Sequence, residues 1–342
     1  MPTRKKREST AYTISIDLGG TKILAAVVDD QDQIVGKAKI KTRARAGVDE
    51  VIERLAETAR QAALTAKVDW TQVIGVGIGA PGPVDPEAGV VYNPPNLPGW
   101  EKVALGPHLA ELLDVPVCVE NDVNLGTLGE YTMGAGRGTR DMVGIFVGTG
   151  VGGGLVLDGK LRTGFRHAAG EVGHMVVLAD GPVCGCGRRG CLEALASRTA
   201  VERDIRLGLQ AGRESLIPEL TEGKSLRLTS GVIARALQKG DPLVKDVMHR
   251  AQWYLGLLTA SVVNLIDPEM VVFGGGVVEA LDDEFLAPIR VTARQHYIQK
   301  MDADRVRIVP GKLGDDAAVL GAAALVRDRA ASTGPGKSGK GD

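Results

Sequence analysis

The residues best suited to chemistry crowd into positions 184–193, which read CGCGRRGCLE. The whole chain has four cysteines, and Cys184, Cys186 and Cys191 share this one window, with glycines between them and Glu193 just beyond. Glycines let so short a loop fold back and aim several sulfurs at one centre. Tetrahedral Zn²⁺ needs four ligands, three thiolates leave one place to fill, and His174 in GEVGHM is the natural fourth. A redox pair would normally be spaced C-x-x-C beside a thioredoxin-like unit, and no such unit is seen. A disulfide would leave one thiol over, and three unliganded structural cysteines fit poorly in a loop so rich in glycine. Cys118 lies in an apolar run and reads as inert core.

A second group of side chains is short, planar and polar. VENDVN supplies Glu120, Asn121 and Asp122; GEVGH supplies Glu171 and His174; CLEA supplies Glu193. Asn121 can donate and accept, Asp122 is a candidate general base, and the set suits a ligand with many hydroxyls. Each alone would read as a turn or cap residue; their repeated place at strand ends and beside glycine loops argues for a site.

Three glycine corners complete the inventory. DLGGTK joins two strands through Gly19, Gly20 and Thr21, offering backbone N–H groups and a hydroxyl to an anion. Lys22 adds positive charge, and Asp17 ends the first strand where it can hold Mg²⁺ directly or through water. FVGTGVGGG repeats the device at Thr149 and Gly150. Gly274, Gly275 and Gly276 follow the strand MVVF, where a nucleotide can lie against bare backbone. Gly148, Gly150 and Gly153 also spell G-x-G-x-x-G, but LVLDGK follows, a strand and turn where a dinucleotide fingerprint requires a helix. Walker A, G-x-x-x-x-G-K-[ST], is absent.

The elements that must carry these groups alternate between strand and helix. YTISIDL, KILAAVV and a third strand open the chain around the first corner. Val48, Val51, Ile52, Leu55, Ala59 and Ala62 recur at helical spacing. The strand QVIGVGIGA runs into a Gly/Pro loop, GPHLAELLDV reads as a helix with Pro107 near its start, and VPVCVEND as the next strand. DMVGIFVGTGVGGGLVLDGKLRTG then repeats strand, corner, strand, turn, strand, which predicts two similarly built α/β halves. In the second half a helix is expected from Leu192 onward, then a long apolar helix ending near VVNLIDPE, and the strand MVVFGGG. An Ala-rich helix with Asp315 or Asp316 as its cap closes the chain.

The 342 residues exceed one compact core and predict two domains. A hydrophobic fraction of 44%, 24% charged residues and a formal net charge of −1 describe an ordinary globular protein. Near-neutral charge gives no footprint for nucleic acid, and no apolar run reaches the roughly 18 residues of a membrane span. MPTRKKREST is basic without an apolar stretch behind it, so it reads as a solvated tail rather than a secretory signal. The closing ASTGPGKSGKGD is low-complexity and expected to be disordered. A cytoplasmic location is expected, where clustered thiols stay reduced and suggest metal.

Taken together, DLGGTK, GAPGPVD, VENDVN, FVGTGVGGG, GEVGHM and CGCGRRGCLEALAS resemble the ROK family of bacterial sugar kinases, within the actin-like and hexokinase-like ATPases. The resemblance runs over roughly residues 12 to 328. NPPNLPGW is similar to the glucokinases of this group. The family's repressors place a winged helix-turn-helix ahead of the first motif, and the ten or so residues before it here leave no room for one. The resemblance implies two α/β domains of ribonuclease-H-like topology with a cleft between them. Their expected boundaries are 11–122 plus 316–330 for the smaller and 123–315 for the larger, with flexible ends at 1–10 and 331–342. It implies ATP phosphates near Gly19, Gly20, Thr21 and Lys22 and near Thr149 and Gly150, with adenosine toward Gly274, Gly275 and Gly276. Sugar hydroxyls would meet Asn121, Asp122, Glu171, His174 and Glu193, with Pro81 and Gly82 closing one side, and zinc would sit on His174, Cys184, Cys186 and Cys191. Glucose 6-phosphate and ADP would be the products, with Asp122 as base, in a homodimer or homotetramer that binds no nucleic acid or membrane. Kinases for fructose, mannose, allose or an N-acetylhexosamine and a sugar-responsive regulator are the alternatives. Polyphosphate is disfavoured as donor because family members that use it tend to lack the cysteine cluster.

Overall fold

The computed structural model describes residues 11–221 and 228–333. The basic tail expected at 1–10 and most of the one expected at 331–342 lie outside these residues. Ala331, Ser332 and Thr333 are helical rather than disordered, since the closing helix runs over Ala317–Thr333. The chain forms two compact units. One runs to Met133 and takes in Thr163–Ala168 and the chain from Asp316; the other comprises Gly134–Arg162 and Ala169–Asp315. The first unit thus continues past the boundary expected at Asp122.

The first unit is built from strands β1 (Tyr12–Leu18), β2 (Lys22–Val28) and β3 (Ile34–Lys41), helix α1 (Val48–Ala66) and strand β4 (Val73–Ala80). Three short strands follow, β5 (Val84–Asp85), β6 (Val90–Tyr92) and β7 (Lys102–Val103), then α2 (Leu105–Leu113), β8 (Val117–Asn121) and α3 (Asp122–Thr132). Its main sheet has the order β3-β2-β1-β4-β8. β1 and β2 are antiparallel, while β1, β4 and β8 run parallel. Val51, Ile52, Leu55, Ala59 and Ala62 of α1 are buried in the core beneath this sheet, as their spacing predicts.

One face of β4 is glycine at every second residue, which lets helices lie directly on the strand. A Cβ at Gly77 would press into the Ala322 carbonyl of the closing helix, and one at Gly79 would meet Asp122 at the start of α3. Those two helices meet each other on glycine as well. A Cβ at Gly129 would collide with the Ala317 carbonyl, and one at Gly321 with that of Leu125. The last helix is therefore a structural part of the first unit. Of its two expected caps, Asp316 accepts a 2.5 Å bond from Lys37 Nζ.

The second unit repeats the plan. Strands β9 (Met142–Val147), β10 (Val151–Leu157) and β11 (Lys160–Leu161) precede helices α4 (Glu193–Ala196), α5 (Arg198–Gln210), α6 (Ile217–Leu220), α7 (Ser230–Gln238) and α8 (Pro242–Ile266). Then come β12 (Met270–Gly274), α9 (Gly276–Leu281), α10 (Asp283–His296) and β13 (Arg307–Pro310). The sheet order β11-β10-β9-β12-β13 reproduces that of the first unit position for position. The apolar α8 runs through its core. The helix expected from Leu192 is broken: Ser197 takes extended dihedrals, and its hydroxyl accepts the Ala200 N–H at 3.1 Å. A local cap ends one short helix and starts the next. Among the described residues no helix is long and apolar enough to cross a membrane.

Candidate active site

In the first unit, β1, β4 and β8 are parallel, so their carboxyl ends share one edge of the sheet, where ligands of open α/β sheets bind. Gly19, Gly20 and Thr21 follow β1, Pro81 and Gly82 follow β4, and Asn121 ends β8 with Asp122 next. Asp17 sits at the level of Gly79 near the end of β1. The first corner is a tight turn: Gly19 N–H donates to the Lys22 carbonyl at 3.0 Å, and the Thr42 hydroxyl donates to the Gly19 carbonyl at 2.5 Å. Among the described residues, the Gly20 and Thr21 N–H groups meet no backbone carbonyl. Thr21 and Lys22 are exposed.

Asn121 has structural bonds of its own. Its Oδ1 accepts the Val123 and Asn124 N–H groups at 2.9 and 3.1 Å, capping α3, and its Nδ2 donates to the Gly82 carbonyl at 3.1 Å. One amide N–H is left over. Asp122 is the first residue of α3, half-buried, with Oδ1 accepting the Val123 N–H at 2.9 Å. Beneath them Glu120 is 3% exposed, and its Oε1 accepts from Asn121 N–H at 2.9 Å and Asn124 Nδ2 at 3.0 Å. Burial pushes the Glu120 carboxyl above the usual carboxylate range, against the pull of those two bonds.

The loop NPPNLPGW ties two of these segments together. Leu97 and Trp100 are each 1% exposed and anchored in the core. From that anchorage Pro94 lies against Gly82, and Asn96 lies so close to Gly20 that a Cβ there would come within 2.6 Å of the Asn96 side chain.

The second unit gathers its groups around Val151. Glu193 Oε2 accepts the Val151 N–H at 3.1 Å and leaves no room for a side chain at Gly150. Gly173, next to His174, rests against the Val151 carbonyl. Glu171 is exposed at the start of the same turn, and its carbonyl accepts the His174 N–H at 3.0 Å. The corner at Thr149 and Gly150 is closed by Gly148 N–H donating to the Gly150 carbonyl at 2.9 Å. Gly274 pairs with Phe146 at the ends of β12 and β9, and Gly275, with φ of 100°, lies on the Val147 carbonyl. The third glycine cluster is thereby brought alongside the second.

His174, Cys184, Cys186 and Cys191 offer four ligand atoms that all lie within 4.8 Å of one another. Cys186 and Cys191 Sγ are 3.7 Å apart, as are Cys184 Sγ and His174 Nδ1. Tetrahedral zinc with Zn–S bonds of about 2.3 Å sets its sulfurs about 3.8 Å apart, so donor set and spacing both fit that ion. The thiols differ in their surroundings. Hydrogen bonding to the Arg188 backbone N–H pulls exposed Cys186 down to about 6, while burial pushes Cys184 up to about 12. Cys184 Sγ is also 3.5 Å from Glu193 Oε1, which connects the thiol loop to the Thr149 corner through one carboxylate.

Three supporting residues were not singled out in the sequence, although Asn96 lies inside NPPNLPGW. Thr42 and Asn96 act on the first corner from distant segments. Arg198 acts on the second, its Nη2 donating to Thr149 Oγ1 at 3.0 Å. Only the ASRT stretch, legible as a helix cap, hinted at the last.

Twin units of identical strand order, each bearing glycine corners at strand ends, define the actin-like and hexokinase-like α/β class. The chain belongs to the ROK family, whose model matches residues 13–329. It is similar to the glucokinase of Thermotoga maritima, 36% identical over 316 residues that span 92% of this chain and 97% of that protein. It is similar also to the N-acetylmannosamine kinase of Citrobacter koseri, 35% identical over 92% of this chain and 98% of that one. Among solved structures, a ROK family glucokinase from Streptomyces griseus in complex with glucose and AMPPNP superposes with a TM-score of 0.80 at 33% identity, covering 93% of this chain and all of that one. The protein is a sugar kinase.

Proposed function

We propose that this kinase transfers the γ-phosphoryl group of ATP to the 6-hydroxyl of glucose, giving glucose 6-phosphate and ADP in the cytoplasm. The observation that carries the reading is Asp122, fixed as the first residue of α3 beside the Asn121–Gly82 bond. A carboxylate so placed takes the proton of the 6-hydroxyl as that oxygen attacks the γ-phosphorus and the bond to the β-phosphate oxygen breaks. Asn121, with its one remaining N–H, Pro81, Gly82, Glu171, His174 and Glu193 would be the sugar contacts. The Streptomyces griseus relative, which holds glucose and an ATP analogue, supports both substrates.

Phosphoryl transfer depends mostly on positioning and charge stabilisation. The N–H groups of Gly20 and Thr21, the Lys22 ammonium and the Thr149 corner would bind the phosphates, with adenosine along Gly274, Gly275 and Gly276. Mg²⁺, held by Asp17 directly or through water, would neutralise phosphate charge. Zinc on His174, Cys184, Cys186 and Cys191 would have no open coordination position and would serve as a brace. With Nδ1 on the metal side, His174 keeps Nε2 for a sugar hydroxyl in a fixed tautomer. A metal-bound Cys184 has no proton to donate, so Glu193 Oε1 is left to accept from the sugar.

A coupled assay of ADP formation across glucose, fructose, mannose, allose and N-acetylmannosamine tests the assignment, with metal analysis on the same preparation. Glucose should give the highest kcat/KM. Turnover of another hexose with glucose inert would place the chain among the family's other kinases.

A further inference from the structure

The first turn of α5 holds the Thr149 corner by three bonds. Arg198 N–H donates to the Gly148 carbonyl at 2.9 Å, the Thr199 hydroxyl to the Thr149 carbonyl at 2.7 Å, and Arg198 Nη2 to Thr149 Oγ1 at 3.0 Å. The third bond has a chemical consequence. A guanidinium can only donate, so Thr149 Oγ1 is the acceptor and its own proton is directed to some other acceptor. A phosphate oxygen is an acceptor of that kind. The bond to the corner is also the closer of the guanidinium's contacts: Arg198 Nη2 is 3.0 Å from Thr149 Oγ1, whereas Glu202 lies 3.7 Å from Arg198 Nη1 and takes Arg206 Nη2 at 2.6 Å with its other oxygen.

We propose that Arg198 is a positioning residue for the phosphate donor, polarising and orienting the Thr149 hydroxyl as a hydrogen-bond donor to the nucleotide's terminal phosphates and adding positive charge beside them. This rests on the kinase reading above and assigns a role to a residue outside the motifs that led to it. Arg198→Gln removes the charge but keeps an N–H donor, Arg198→Lys keeps the charge but not the fork, and Thr149→Val removes the hydroxyl.

The test is steady-state kinetics with ATP and glucose varied separately, together with calorimetric titration of the full chain with Mg·ADP. Arg198→Gln should raise the KM for ATP and the Kd for Mg·ADP by about 10- to 100-fold, the scale of a lost charge-assisted bond. The KM for glucose and the melting temperature should hardly move, and Arg198→Lys should recover part of the loss. Arg198→Gln combined with Thr149→Val should be much less than additive, because both remove one arrangement. An unchanged KM for ATP, a parallel rise in both KM values with a lower melting temperature, or full additivity would overturn the inference. Active wild type beside a silent Arg198→Gln sinks this role alone. Wild type that binds Mg·ADP and loses it in Arg198→Gln, yet phosphorylates no hexose, sinks the sugar reading alone. Wild type that does neither sinks both.

Discussion

Replacing Asp122 by asparagine separates the chemistry from the fold, because the amide keeps an oxygen where Asp122 Oδ1 now accepts the Val123 N–H. That bond changes from charge-assisted to neutral, a difference of about 1 kcal/mol. Losing a negative charge at the first position of α3 removes roughly 0.3–1 kcal/mol of interaction with the helix dipole. These two terms together lower stability by about 2 kcal/mol, too little to unfold a typical domain. Turnover should fall far more, by about two to four orders of magnitude for a lost general base, equivalent to about 3–5 kcal/mol of barrier. The assay is coupled ADP release at saturating glucose and ATP, with thermal melting and calorimetric glucose binding on the same protein. Retained glucose affinity with collapsed kcat is the expected pattern. A variant that melts normally and turns over within about threefold of wild type would show that Asp122 is not the base.

Cys186→Ser removes one of four converging donors, so the purified variant should lose bound zinc by elemental analysis and bind glucose poorly; full activity in a zinc-free sample would contradict the bracing role. Glu120 provides a pH test. Its folded-state value is raised, so it contributes stability below its unfolded value that is lost as pH rises through the folded one. Glu120→Gln keeps the acceptor for Asn121 and Asn124 but does not titrate. Chemical denaturation between about pH 4 and about pH 8 should show the variant gaining on wild type as pH rises, and parallel curves would refute burial as the cause. Gly321→Ala drives a methyl group into the Leu125 carbonyl and should cost at least about 1–3 kcal/mol, read as a lower melting temperature; an unchanged melting curve would mean that the two helices separate freely.

What could be read from the sequence was local. The thiol window, the glycine corners and the strand-corner-strand duplication each occupy a few consecutive residues whose types state their purpose, and the twin strand orders follow from the repeated pattern. Partnerships across long separations could not be read that way. Nothing near Gly129 announces Ala317, nothing near Val151 announces Glu193, and the Arg198 guanidinium finds Thr149 only once two segments are packed. Asn121 shows a subtler gap. Asparagine ahead of a helix is a recognisable cap, and that duty uses most of the hydrogen-bonding capacity expected of it as a sugar contact. The break at Ser197 was also there to be seen, since serine ahead of a new helix is the same signal, but an unbroken run of helix formers hid it.

The closing helix has a bearing on how the protein is made. Residues 317–333 complete the unit that contains Asp122, packing on Gly77 of β4 and on α3. During synthesis from the amino end, the residues of the second unit leave the ribosome before that helix does. The first unit must therefore wait, with Gly77 of β4 uncovered, while its companion is free to fold. A nascent chain halted ahead of residue 317 would carry a finished thiol loop and an unfinished home for Asp122.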